Sequence, residues 1–268
     1  MSKSGWEEKL EALKQHLADY GRLAVAFSGG VDSTFLLAVT HKVLGDNACA
    51  LTAQSPAFPE REHAEALDFC KQRGIRHLVF DAKQLDIEGF VQNSPERCYF
   101  CKRGLFESMM NLAQEHDLGP VADGSNTDDT SDYRPGSRAL SELNIVSPLL
   151  ECGFSKNDIR AASAALGLAT AEKPSFACLA TRIPYGTPIT ADALAQLGAA
   201  EQALLDLGLT AVRVRINGAE ARIEVPPSEM EKAFKLRDDI VRHLKEAGFN
   251  YVALDLEGYR TGSMNETL

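Results

Sequence analysis

Ser28-Gly29-Gly30-Val31-Asp32-Ser33 gathers two glycines and two serine hydroxyls within six residues, the composition of a loop that wraps an oxyanion. Glycines let backbone amides come close to a phosphate, and a helix starting just after them presents the favourable end of its dipole. The spacing is neither G-x-x-x-x-G-K-[ST] nor G-x-G-x-x-G, so this cradle differs from both of those nucleotide loops. Without a ligand, the same residues would form a plain strand-turn-helix corner in which Asp32 and Ser33 support the helix start. A second chemistry-bearing feature is the pair Cys98 and Cys101. Six cysteines in 268 residues are too sparse for a disulfide scaffold, so a close pair reads as metal ligands, a redox couple, or two thiols at a helix start. No thioredoxin-like context supports the redox couple, and His63, His77 and His116 lack metal-motif spacing to the pair. Cys49, Cys70 and Cys152 lie in apolar or helical contexts and read as small buried side chains.

Two further patterns bear on anions. Asp123-Gly124-Ser125-Asn126-Thr127-Asp128-Asp129 is, taken alone, a polar turn. Arg213 and Arg215 alternate on a predicted strand, which turns both to one face, where paired guanidiniums suit a phosphate and a solvated charged face is the plain alternative. Arg134, Arg138, Arg182 and Arg260 are further anion-binding candidates. Glu201, Glu229 and Glu231 are candidates to help bind metal or orient substrate, with surface helix charges as the plain reading.

The elements that must position these residues follow from apolar spacing. Residues 5 to 19 read as a helix through Leu10, Leu13 and Leu17, and residues 22 to 27 as a strand running straight into the glycine turn. A helix over 31 to 44, ended by Gly45, and a strand over 49 to 53 complete a βαβ unit. A helix over 59 to 74, a strand over 76 to 80, a helix over 99 to 116 and a strand over 121 to 124 continue the alternation, which implies a parallel sheet with helices on both faces. Residues 123 to 148 read as a functional loop region. Ser155 is expected to cap a helix over 155 to 166. Residues 173 to 190 read as an extended connection, after which the order becomes helix (191 to 207), hairpin (211 to 216 and 221 to 225, joined at Asn217-Gly218), helix (228 to 247) and strand (251 to 256). The expected fold class is therefore α/β, a Rossmann-like parallel sheet over residues 1–185, with a small C-terminal α+β domain over 186–268.

Composition narrows the function. Hydrophobic residues make up 44% and charged residues 25% of the chain, which suits a folded globular protein and excludes global disorder. The net charge of -10 opposes a nucleic-acid partner in the absence of a basic stripe. The first residues lack the apolar core of a signal peptide and no run is long enough to span a bilayer, so a cytoplasmic protein is expected.

Residues 28–33 resemble the PP-loop of the adenine-nucleotide α-hydrolase-like enzymes, which adenylylate a substrate and release pyrophosphate, and 124–129 resemble their second nucleotide-proximal segment. Several ordered segments resemble the LarE sulfur transferases within that superfamily: Pro95-Glu96-Arg97-Cys98-Tyr99-Phe100-Cys101-Lys102, Asp132-Tyr133-Arg134-Pro135-Gly136, Pro174 through Pro184 around Cys178, Arg213-Val214-Arg215, and Asp255 through Arg260. The resemblance spans nearly the whole chain.

It implies ATP and Mg2+ as cofactors, with Ser28, Gly29, Gly30, Val31, Asp32, Ser33, Gly124, Asn126 and Asp128 at the nucleotide and its metal. It implies a pyridinium-3,5-biscarboxylic acid mononucleotide substrate held by Arg134, Arg182, Arg213, Arg215 and Arg260, and an unidentified sulfur donor. In the family, the cysteine matching Cys178 carries the sulfur, either sacrificed to dehydroalanine or joined with two more cysteines on a 4Fe-4S cluster. Cys98, Cys101 and Cys178 fit the cluster form, in which one iron has no protein ligand and can hold a labile sulfide. The resemblance also implies a homo-oligomer, a hexamer in the family, and other nickel-pincer pathway proteins as partners. The rival functions are a PP-loop tRNA 2-thiolation enzyme and a nucleotide-binding protein without turnover.

Overall fold

The computed structural model describes residues 5–131, 135–174 and 177–260, with the side chains of 130 and 131 left aside. The chain divides into two compact units, residues 1–84 with 98–176, and residues 85–97 with 177–268.

In chain order the elements of the first stretch are α1 (Gly5–Tyr20), β1 (Leu23–Ala26), α2 (Val31–Leu44), β2 (Ala48–Gln54), α3 (Glu60–Arg73) and β3 (Arg76–Asp81). Then come α4 (Glu88–Val91), α5 (Arg97–Glu115), β4 (Val121–Ala122), α6 (Pro135–Glu142), α7 (Pro148–Glu151) and α8 (Lys156–Ala165). The strands of the first unit form a sheet in the order β3-β2-β1-β4, and every pairing is parallel. Alternation on β1 explains why both faces are covered: Leu23 and Val25 join a core with Leu13, Leu17, Phe35 and Phe154, while Ala24 joins another with Leu51, Phe106, Met109 and Leu140. Side chains two apart share a face of a strand, and helices supply the opposing apolar stripe on each side. The Rossmann-like α/β reading of this sheet holds.

The second unit contains α9 (Ala191–Asp206), β5 (Arg213–Asn217), β6 (Glu220–Glu224), α10 (Met230–Lys235), α11 (Arg237–Glu246) and β7 (Tyr251–Leu254). Its sheet runs β5-β6-β7, antiparallel across the hairpin and parallel between β6 and β7. Residues 85–97 join this unit through Asn93, which is fully buried. Its amide donates to the carbonyls of Pro184 and Thr187, both at 2.8 Å, and its backbone takes a left-handed φ of 52°, a conformation asparagine tolerates better than most residues.

Two expectations need correction. The helix expected over 228–247 is two helices, because Leu236, with ψ near 7°, closes α10 and opens α11. Asp238 and Asp239 then fall in a first turn, where the helix dipole favours acids. The loop expected over 123–148 contains α6, whose Ala139 and Leu140 are buried. Pro135 begins it, since a proline at a first helical position loses no intrahelical bond. Among the described residues, no helix is long and apolar enough to cross a membrane.

Candidate active site

The phosphate loop follows β1 directly and ends in α2. Gly29 has a φ of 72°, the left-handed region that favours glycine, and a Cβ there would lie 3.3 Å from the Glu62 carbonyl oxygen. Ser33 ties the loop together: its hydroxyl lies 3.2 Å from that of Ser28, accepts from the Ser28 amide at 3.3 Å and donates to the Gly30 carbonyl at 3.3 Å. Gly30 caps α2 without any side-chain cap bond. The Gly30 amide donates only a long bond of 3.4 Å to the Ser28 hydroxyl, so the loop and helix start present backbone N–H groups of the kind that bind an anion.

The second motif follows β4 and meets the first. A Cβ on Gly124 would sit 3.1 Å from the Ser33 amide nitrogen and 3.3 Å from the Asp32 Cβ, so any side chain here would press the phosphate loop aside by a few tenths of an ångström. Asn126 is buried and accepts from the Asp128 amide at 3.0 Å. Asp128 in turn accepts from the Lys156 backbone amide at 2.8 Å. Both motifs thus sit at the carboxyl ends of parallel strands, where open α/β sheets bind ligands.

Asp32 carries the site's electrostatics. Its Oδ2 accepts from Lys156 Nζ at 2.5 Å, while its buried Oδ1 has no hydrogen-bond partner. Burial pushes its carboxyl above the ordinary aspartate range, against the pull of the Lys156 ammonium. A buried, unmatched carboxylate oxygen beside a phosphate cradle suits a magnesium ion or its water shell, so the residues present fit the Mg-nucleotide that the loop implies. Beneath the loop, Lys173 Nζ donates to the Gly29 carbonyl at 3.1 Å and contacts Glu62 and Glu65, each at 2.6 Å.

Sequence reasoning missed Lys156 and Lys173. Each is an isolated lysine at an element boundary, and only the fold brings it to the loop. Lys173 had one signal, its place immediately before the matched segment that starts at Pro174.

Cys98 and Cys101 lie in the first turn and a half of α5, Cys98 exposed and Cys101 half-buried. They belong to the first unit and Cys178 to the second. No three His, Cys, Asp or Glu side chains are gathered as a metal site among the described residues. All six cysteines are thiols. Burial pushes Cys49 up to about 11 and Cys70 up to about 12, as expected for inert core thiols. Cys152 is only half-buried, and burial followed by the charge of Glu151 raises it as well. His77 is occupied too, 2.7 Å from the Thr52 hydroxyl.

In the second unit Cys178 caps a 3-10 turn over Leu179–Arg182. Arg182 is fully buried and donates to the carbonyls of Ala177 at 3.1 Å and Cys178 at 3.3 Å, and to the Thr181 hydroxyl at 2.6 Å. It also grips Glu201 through two bonds of 2.7 and 2.9 Å. The surface reading of Glu201 is thereby overturned: it is 4% exposed, on the inner face of α9, and it also accepts from the Val214 amide at 2.9 Å.

Arg215 makes a similar two-pronged pair with buried Glu224 at 2.7 and 2.9 Å, and donates to the Thr181 carbonyl at 2.7 Å. Arg213 is buried and packs 5.0 Å above the Tyr259 ring. Burial, then the neighbouring charge of Arg182, lowers its basicity. The three guanidiniums share one region of this unit with the carboxylates of Glu201 and Glu224. Arg260 is exposed and paired with Glu257. Arg138 lies 3.9 Å over the Tyr99 ring and 3.7 Å from Glu142 in the first unit. Glu229 accepts from the Thr210 amide and hydroxyl, and exposed Glu231 pairs with Lys235. Arg134 lies outside the described residues.

Comparison with known proteins places this geometry. Residues 6–102 match the family model described as NAD synthase. Over 98% of its length the chain is 40% identical to a Synechocystis protein of uncharacterised function, covering 98% of it. It is 38% identical over 97% of its length to the pyridinium-3,5-bisthiocarboxylic acid mononucleotide synthase of Lactiplantibacillus plantarum, covering 95% of that enzyme. It is 26% identical over 91% of its length to a tRNA(Ile)-lysidine synthase of Novosphingobium aromaticivorans, covering 82% of it.

Proposed function

The chain belongs to the LarE family of PP-loop, ATP-dependent sulfur transferases, and from that premise we propose that it converts pyridinium-3,5-biscarboxylic acid mononucleotide to the bisthiocarboxylic acid. The observation that carries this reading is the meeting of the two nucleotide motifs, Gly124 against Asp32 and Ser33, beside a buried Asp32 oxygen with no partner.

Carboxylate is a poor electrophile because expelling oxide is prohibitive. In the proposed reaction a substrate carboxylate oxygen attacks the α-phosphorus of ATP, pyrophosphate leaves, and an acyl-adenylate forms. A sulfur nucleophile then adds to the acyl carbon and AMP leaves, which yields a thiocarboxylate; the second carboxylate follows the same course. The loop amides of Gly29, Gly30 and Val31, with the hydroxyls of Ser28 and Ser33, would hold the departing pyrophosphate. Asp32 would face Mg2+, which spreads the charge that develops on the phosphates.

We assign nucleotide chemistry to residues 1–185, and self-association and most of the substrate contacts to 186–268, with Arg134 and Arg182 as substrate residues outside that stretch. Arg182, Arg213 and Arg215 are assigned to the substrate phosphate, with Arg134 and Arg260 as further contacts.

Cys98, Cys101 and Cys178 are the sulfur-handling residues in this reading. Their soft thiol donors suit iron–sulfur ligation. A 4Fe-4S cluster held by three cysteines would supply an open iron at which a labile sulfide binds. Two measurements test the reading. Pyrophosphate released from ATP must depend on the pyridinium dicarboxylate. Anaerobic reconstitution must give about four irons and at least four acid-labile sulfides per chain, lost in Cys98→Ala. Iron-free protein that consumes Cys178 in one turnover would replace the cluster with the sacrificial route, and pyrophosphate release indifferent to the dicarboxylate would overturn the substrate.

A further inference from the structure

Gly29-Gly30 is the single Gly-Gly step in the 268 residues, and it lies in the phosphate loop. Neither residue carries a Cβ, so the peptide plane between them can turn over, through ψ of the first and φ of the second, with little steric hindrance. Which way it faces decides what the loop offers an anion, because the C=O and N–H of a trans peptide point in opposite directions. The Gly29 carbonyl accepts from Lys173 Nζ at 3.1 Å. The Gly30 N–H points the other way, towards the Ser28 hydroxyl at 3.4 Å, which is itself 3.2 Å from the Ser33 hydroxyl.

Lys173 is a fixed anchor. Its backbone N–H donates to the Thr170 carbonyl at 3.0 Å, its own carbonyl accepts from Arg160 at 3.0 Å, and its side chain is only 11% exposed. An ammonium has three N–H donors, and three oxygens surround this one: the Gly29 carbonyl and the Glu62 and Glu65 carboxylates, the last two at 2.6 Å. Arg61 stands 3.7 Å from each of those carboxylates, so their charge is offset in part without Lys173. What Lys173 adds is the bond to the Gly29 carbonyl.

We propose that Lys173 is a positioning residue that locks the Gly29–Gly30 peptide, so that the Gly30 N–H stays turned towards the nucleotide phosphates. Successive backbone N–H groups bind an anion only while they converge on it. With the lock gone, the peptide can turn its carbonyl oxygen into the cradle, where it repels the phosphate oxygen that the N–H would have bound. The inference deepens the nucleotide role proposed for the loop and rests on that reading.

Its test is Mg-ATP binding to the full-length protein by calorimetry, with no pyridinium substrate present. Lys173→Met should raise the Kd about tenfold, the scale of one hydrogen bond to a charged group. It also leaves Glu62 short of a partner, so the urea midpoint should fall. Lys173→Met combined with Glu62→Gln removes that buried charge: the midpoint should recover while the Kd stays high, and this double variant carries the test if the single one does not fold. A second readout follows the peptide itself. Glycine labelled at its carbonyl carbon and amide nitrogen gives one carbonyl-correlated amide signal from a Gly-Gly step, that of Gly30. Mg-ATP should move this signal strongly in the wild type and weakly in both variants. A Kd that matches wild type, a Kd that recovers together with stability, or a Gly30 signal that moves equally in all three proteins would each overturn the proposal. Wild type that binds no Mg-ATP would overturn the nucleotide reading and this role with it, whereas pyrophosphate release indifferent to the dicarboxylate would leave this result standing.

Discussion

Arg182 and Glu201 meet in a buried, two-pronged ion pair at 2.7 and 2.9 Å, and the same guanidinium donates to the Cys178 carbonyl at 3.3 Å. The pair therefore fixes the backbone that presents a sulfur-bearing residue. Removing one member leaves the other charge buried without compensation, which typically costs about 3–5 kcal/mol. Glu201→Gln should lower stability on that scale, read as a fall in the urea midpoint at unchanged slope.

The contact of Gly124 with the phosphate loop makes a different kind of prediction. Gly124→Val places atoms where Asp32 and Ser33 already sit, and a displacement of about 1 Å in a positioning element can cost about a hundredfold in rate. Pyrophosphate release should fall by about one to two orders of magnitude on that basis. Ser33→Ala, which loses the hydroxyl linking Ser28 to Gly30, should weaken the same step. Unaltered pyrophosphate release in both variants would remove this loop from the nucleotide site.

Lys156→Met probes Asp32. Burial already raises the Asp32 carboxyl and Lys156 opposes that rise, so loss of the ammonium moves it further up. The carboxylate is then protonated at higher pH, and the acid limb of the pyrophosphate-release profile should shift towards neutrality. An acid limb that stays in place would show that Asp32 ionisation does not govern this step.

At the start of α8, Asp158 reports on fold stability. Burial pushes its carboxyl up, but Lys9 at 2.7 Å and the Ser155 hydroxyl and amide outweigh it, leaving a value of about 2. A carboxyl depressed by folding stabilises fully above its ordinary range near 3.8, and that contribution is lost as the pH falls towards about 2. Between those limits the unfolded chain binds more protons. The urea midpoints of wild type and Asp158→Ala should therefore differ at pH 6 and converge on acidification.

Arg215 divides its bonds between Glu224 and the Thr181 carbonyl. Arg215→Lys keeps a charge but forfeits the planar fork that suits phosphate. The KM for the pyridinium nucleotide should rise about tenfold, the equivalent of about 1.4 kcal/mol, with ATP binding unaltered. A normal KM would take Arg215 out of the substrate site.

The sequence by itself determined the order of the strands and of the longer helices up to α9, the glycine turn after β1, the Ser155 cap and the buried state of Cys49 and Cys70. These are set by local periodicity and by backbone chemistry that acts over a few residues. The second nucleotide segment was legible only as a polar turn until its resemblance was paired with the first. What the tertiary structure decided is which isolated polar residues converge. Lys156 reaches Asp32 across 124 positions, Lys173 reaches Gly29 across 144, and Gln84 finds Ser55 and Cys101 from a turn without any motif. Glu201 looked like a surface charge by residue type alone, yet it shares the buried face of α9 with Leu194, Leu197 and Leu204. Periodicity reports which face of an element is apolar, whereas the partner of a single buried charge is chosen by chain segments far apart, through the cost of leaving that charge unmatched.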